Sequence, residues 1–153
     1  MAARRTGNKR SKRFETQADA TSPATQDTED APRYCVSELI TESGESPFRS
    51  WLEGLKDFIA RARIEARLTR IIDGGNLGDH RERISGAISE LRIDYGLGYR
   101  IYYVSHDQIH DQIIVILIAG GTKDSQQSNI ETAAKLWEKG KSDVERFSRN
   151  IIP

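Results

Sequence analysis

Cysteine is almost missing from this chain: Cys35 stands alone among 153 residues. That excludes an intrachain disulfide framework and any cysteine-rich zinc site, and Cys35 itself reads as a small buried apolar residue. Long hydrophobic runs are lacking too. None approaches the roughly 18 uncharged apolar residues of a membrane helix, and the N-terminus has no apolar secretory stretch. A cytoplasmic protein with no membrane partner is expected. The three histidines, His80, His106 and His110, have no spacing with acids or cysteines that would build a metal site, so no metal and no cofactor is expected. Net charge is also absent, with 23 basic against 23 acidic side chains. Any affinity for nucleic acid must then come from a local patch rather than from the domain as a whole.

What is present is unevenly placed. Arg4, Arg5, Lys9, Arg10, Lys12 and Arg13 crowd the first 13 residues without an acid, whereas residues 14–46 set eight acids against Arg33 alone. Residues 1–33 are poor in large apolar groups and lack any helical or strand period. They are expected to form a disordered extension, followed by an ordered domain over 34–140 and a tail over 141–153.

Within the domain, "YCVSELI" reads as a first, edge strand. Ser46-Pro47 reads as N-cap and first-turn proline of a helix. Phe48, Trp51, Leu52, Leu55, Phe58, Ile59 and Ala62 recur at helical spacing, and the apolar phase then shifts to Ile64, Leu68, Ile71 and Ile72. The shift predicts a kink or helix hairpin near Ala60 to Arg63, with Gly74-Gly75 as the stop. Arg63, Arg67 and Arg70 share one face of this second segment. The stretch "GGNLGDHRER" reads as a loop.

Residues 89–95 alternate cleanly, with Leu91, Ile93 and Tyr95 on one face and Glu90, Arg92 and Asp94 on the other. After the turn "GLG", residues 99–104 place Arg100, Tyr102 and Val104 opposite in sense to Tyr99, Ile101 and Tyr103. The two strands are expected to pair as an antiparallel hairpin with Arg92 on its open face; register decides whether Arg100 shares that face. "HDQIHDQ" is a polar turn and "IIVILIA" a central strand ended by Gly120-Gly121. Asp124 or Ser125 can cap a last helix with Ile130, Ala133, Ala134 and Trp137 as its buried stripe and Gly140 as its stop. The order strand, helix pair, three-stranded meander, helix predicts an α+β fold with helices on one side of a small antiparallel sheet.

Five blocks in this order, "FRSWLEGLKD", "ARIEARLTRI", "GNLGD", "SELRIDYGLGYRIYY" and "IIVILIAGGTKDSQQSNIETA", resemble the HigB-like addiction-module toxins of the RelE/ParE superfamily over about residues 34–138. The resemblance implies a RelE-like fold: two N-terminal helices packed on a small curved antiparallel sheet, with a C-terminal helix. It also implies the toxin of a type II toxin–antitoxin module. The cognate antitoxin would be a helix-turn-helix DNA-binding protein, through which alone the toxin meets operator DNA.

In the RelE-like arm such a toxin enters the ribosomal A site and cuts messenger RNA without metal, by helping a ribose 2′-hydroxyl attack the adjacent phosphate. That chemistry needs positive groups on the phosphate, a planar side chain to stack a base, and a proton acceptor and donor. By resemblance Arg92 is a phosphate and transition-state clamp, and Arg100 either does the same or braces the sheet. Lys123 holds phosphate or the leaving oxygen, Tyr102 stacks a base or donates a proton, and Arg67, Arg70 and Gln126 contact RNA. Ribonuclease-active relatives often carry a tyrosine or histidine near the start of the last helix, and this chain has neither after His110. No general base is identified, which keeps open the ParE arm, whose members poison DNA gyrase without ribonuclease chemistry, and an inactive antitoxin-binding relic.

Overall fold

The computed structural model describes residues 33–109 and 111–151. The expected extension over 1–33 therefore lies outside the described residues except for Arg33, and so does His110.

Strand β1 (Arg33–Glu38) comes first, followed by helices α1 (Pro47–Glu53) and α2 (Phe58–Gly74). Strands β2 (His80–Ser85), β3 (Ile88–Ile93), β4 (Tyr99–Ile109) and β5 (Gln112–Thr122) come next, then a 3₁₀ turn (Lys123–Ser125) and helix α3 (Gln126–Ile151). The sheet order is β1-β5-β4-β3-β2. Strands β2 to β5 form an antiparallel meander, while β1 lies parallel to β5 with Arg33 beside Gln112 and Glu38 beside Leu117. The fold is α+β as expected, and the helix pair follows a strand as the element order predicts rather than opening the fold as the resemblance implies; the sheet, however, is mixed rather than purely antiparallel. A parallel neighbour needs a crossover of about a dozen residues or more, and the whole segment between β1 and β5 supplies one.

The helices start where the sequence marks them. The Ser46 hydroxyl accepts from the Arg49 N–H at 3.0 Å, with Pro47 in the first turn. Helix α1 ends at Gly54, and Asp57 restarts the chain by accepting from the N–H groups of Ile59 and Ala60, each at 3.1 Å. The break thus falls before Phe58 and not near Ala60 to Arg63. Counting apolar residues across it joined two different helix phases, and Phe58 and Ile59 are in fact exposed. Gly75, at φ 64°, closes α2 as a left-handed cap with its N–H on Ile71 O.

Helices cover both faces of the sheet, not one. On the first face α1 and α2 bury Phe48, Leu52, Ile64 and Ile71 against Leu91, Ile101, Tyr103 and Leu117. On the second, α3 lays Ala133 and Trp137 over Ile88, Tyr102, Ile116 and Ile118. Helix α3 also runs on through Gly140, the expected stop. A Cβ at Gly140 would fall 2.8 Å from Leu39 Cδ1. The glycine therefore permits close approach of α3 to the chain leaving β1. Cys35, on the edge strand β1, is exposed and not buried. No helix among the described residues is long and apolar enough to cross a membrane.

Candidate phosphate-binding cluster

The β3–β4 hairpin is set by a glycine turn in which Gly96 and Gly98 have φ of 56° and 77°, and Gly98 N–H donates to Tyr95 O at 2.9 Å. The turn fixes the register: Arg92 lies directly opposite Arg100, and Glu90 opposite Tyr102. All four side chains share the face covered by α3. Two like charges across a ladder repel, and Glu90 compensates. Its carboxylate is fully buried, with Oε1 3.6 Å from Arg92 Nε and 3.9 Å from Arg100 Nε. Gln126, from the first turn of α3, donates to the other oxygen, Oε2, at 2.9 Å.

The two arginines differ in access. Arg100 is 5% exposed and its Nη1 donates to Tyr99 O at 3.1 Å. The Arg92 side chain is 30% exposed, so it is the arginine that can meet a ligand. Tyr102 is wholly buried in the second core. Burial first, and the neighbouring Glu90 charge second, push its hydroxyl up to about 12, while Arg100 pulls the other way. A base-stacking ring or proton donor needs access that this burial removes.

Lys123 stands at the rim. Its backbone N–H donates to Gly98 O at 2.7 Å, and a Cβ at Gly98 would lie 3.3 Å from Lys123 Cβ and 3.8 Å from Arg100 Nη1. The hairpin turn therefore seats Lys123 on the Arg100 side of the cluster with its side chain exposed. Gly121, opposite Arg100, lies beneath the Asn129 amide of α3, which brings that helix close to the cluster.

Of the other predicted residues, Arg67 is occupied. Its guanidinium donates to Leu77 O at 3.1 Å, Asp79 O at 3.2 Å and Arg92 O at 2.6 Å. Burial, and then the charge of Arg70, lower its pKa. Arg67 is thus a brace between α2 and the backbone of β3. Arg70 is exposed on α2, and Arg63 stacks 4.6 Å from the Tyr95 ring centroid. The structure gathers Arg92, Arg100, Tyr102, Lys123 and Gln126 and leaves Arg67 and Arg70 outside. Glu90, the hub of the cluster, was not singled out from the sequence, because strict alternation reads it as a solvent-facing strand residue. No group of three or more potential metal ligands occurs among the described residues.

These features define an α+β domain whose five-stranded mixed sheet carries a buried carboxylate between two opposed arginines, with an exposed lysine beside them. The chain belongs to the same family as an uncharacterized protein of Haemophilus influenzae. The two are 42% identical over 89 residues, spanning 58% of this chain and 84% of that protein. No family model and no solved structure matches the chain.

Proposed function

We propose that this protein is the toxin of a type II toxin–antitoxin module and a ribosome-dependent, metal-independent messenger RNA endoribonuclease, acting in the cytoplasm. The observation that carries the proposal is the half-exposed Arg92, opposite Arg100 and beside the buried Glu90 carboxylate, with the exposed Lys123 tied to the turn of the same hairpin through its N–H to Gly98 O. A guanidinium fork matches two phosphate oxygens at once, and a lysine beside it can meet the charge that develops on the leaving 5′ oxygen. In the reaction the ribose O2′–P bond forms and the P–O5′ bond breaks, the 2′-hydroxyl proton passing to an acceptor. The helix pair, antiparallel meander and terminal helix support a RelE-like reading, with β1 added in parallel at the edge. A helix-turn-helix antitoxin is the partner this reading calls for.

One observation favours a second reading, gyrase poisoning as in the ParE arm. Tyr102, the residue read as a proton donor, is fully buried, and so is the Glu90 carboxylate beside Arg92. Mapping transcript 5′ ends after induction separates the two. Cleavage within ribosome-bound messages is expected, absent in Arg92→Ala and Lys123→Ala, both of which retain antitoxin binding. Unaltered growth arrest in both variants, or a DNA-damage response without cleavage, overturns the ribonuclease proposal.

A further inference from the structure

Three buried polar atoms in the cluster lack a hydrogen-bond partner among the described residues: Glu90 Oε1, Arg100 Nε and Tyr102 Oη. The first two belong to the carboxylate and guanidinium just described, and the geometry around them is lopsided. Glu90 Oε2 is fixed by Gln126 at 2.9 Å. Oε1 instead faces two Nε atoms at 3.6 and 3.9 Å, beyond hydrogen-bond range. Arg100 is anchored through Tyr99 O and buried. Arg92 is attached to Glu90 by charge alone, its guanidinium makes no hydrogen bond among the described residues, and it is the more exposed of the two.

We propose that Glu90 is a positioning residue that holds Arg92 in reserve: a phosphate group takes Arg92 away from Glu90, while Arg100 stays behind as the permanent partner of the carboxylate. The inference rests on the reading of this patch as a phosphate site. It assigns the two arginines different tasks despite their facing positions. With Arg92 engaged, Glu90 and Arg100 balance each other, so the buried charge is neutral in the bound state. In the free state Glu90 holds the Arg92 head by charge and so lowers its affinity for anions.

The test is a titration of the full chain with inorganic phosphate, followed by ¹⁵N NMR of arginine Nε–H groups, with Arg92→Lys identifying the Arg92 resonance. Phosphate is expected to move the Arg92 signal and leave that of Arg100 in place. Glu90→Gln keeps an acceptor for Gln126 and removes the competing charge, so it should bind phosphate roughly tenfold more tightly. If Glu90→Gln does not fold, the charge-balanced Glu90→Gln/Arg100→Gln variant gives the same readout, again with tighter binding than the parent. Equal affinity in parent and variant, joint movement of both arginine signals, or no phosphate binding in the parent overturns the proposal. These titrations involve neither ribosome nor transcript. A failed ribonuclease reading leaves them standing, and their failure leaves transcript mapping untouched.

Discussion

Gly120 lies so close to Trp51 that a Cβ on the glycine would fall 2.2 Å from Cε3 of the indole. The bulky ring of α1 packs on β5 only because position 120 has no side chain. Gly120→Ala is expected to cost about 2–3 kcal/mol through overpacking, read as a lower denaturant midpoint. Gly121→Ala meets a movable group instead, the Asn129 amide at 1.8 Å. Its cost should fall by at least half when combined with Asn129→Ala, whereas no such rescue is expected from changing a neighbour of Gly120 other than Trp51.

Arg67 is a structural cation. Its fork reaches three carbonyl oxygens on two segments, a geometry lysine cannot reproduce. Arg67→Lys and Arg67→Ala should each lose about 2–4 kcal/mol of unfolding free energy, since charged hydrogen bonds contribute about 1.5–3 kcal/mol apiece and do not add fully. Arg70→Ala should be within about 0.5 kcal/mol of the parent. Urea unfolding of the three variants checks both statements.

The buried tyrosines predict an alkaline limit. Tyr102 and Tyr103 are pushed up to about 12, in both cases chiefly by burial, from an ordinary value near 10. A raised pKa in the folded state means that the unfolded chain loses these protons first. The stability they contribute is complete below pH 10 and is lost as pH rises from about 10 to 12. Absorbance of tyrosinate followed alongside unfolding should show these two ionising only near or with the loss of structure. Tyr102→Phe removes a hydroxyl without a partner among the described residues; it should be neutral or stabilising by about 1 kcal/mol and, on the toxin proposal, leave growth arrest intact.

At the acid end, Glu38 ties β1 to α1 by accepting from Ser46 Oγ at 2.7 Å and from Arg49 Nε at 3.2 Å. The hydrogen bond from Arg49 is the main reason its carboxyl is held below the ordinary value of 4.5, and burial opposes the shift. A lowered folded value means this stability is present above about pH 4.5 and lost as pH falls below it. Glu38→Gln should cost about 0.5–1 kcal/mol at pH 7 and progressively less as the pH is taken below 4.5, as measured by thermal unfolding across that range.

Local chemistry was readable in the sequence and long-range covering was not. Ser46-Pro47, Gly74-Gly75, the alternation over residues 89–95 and the apolar run of β5 each carry their own signal, and all correspond to observed features. Strand β2 is "HRERIS" at the sheet's far edge, mostly exposed, so it has no apolar alternation to reveal it. The parallel sense of β1 leaves no mark either, since an edge strand reads alike in both directions. The candidate site divides in the same way. Arg92, Arg100, Tyr102, Lys123 and Gln126 were visible as residues, whereas the roles depend on α3 lying over their face. That covering buries Glu90 and Tyr102 and turns Arg100 inward, and it is hidden in the sequence because a buried helix stripe does not say on which face of the sheet it packs.

The parallel pairing of β1 also has a temporal side. Arg33 pairs with Gln112, and synthesis proceeds at about 5–20 residues per second. The first strand to emerge therefore waits several seconds for the last one, and α3, which closes the second face, comes later still. The arginine cluster takes its final form only once α3 has followed β5 and closed over its face.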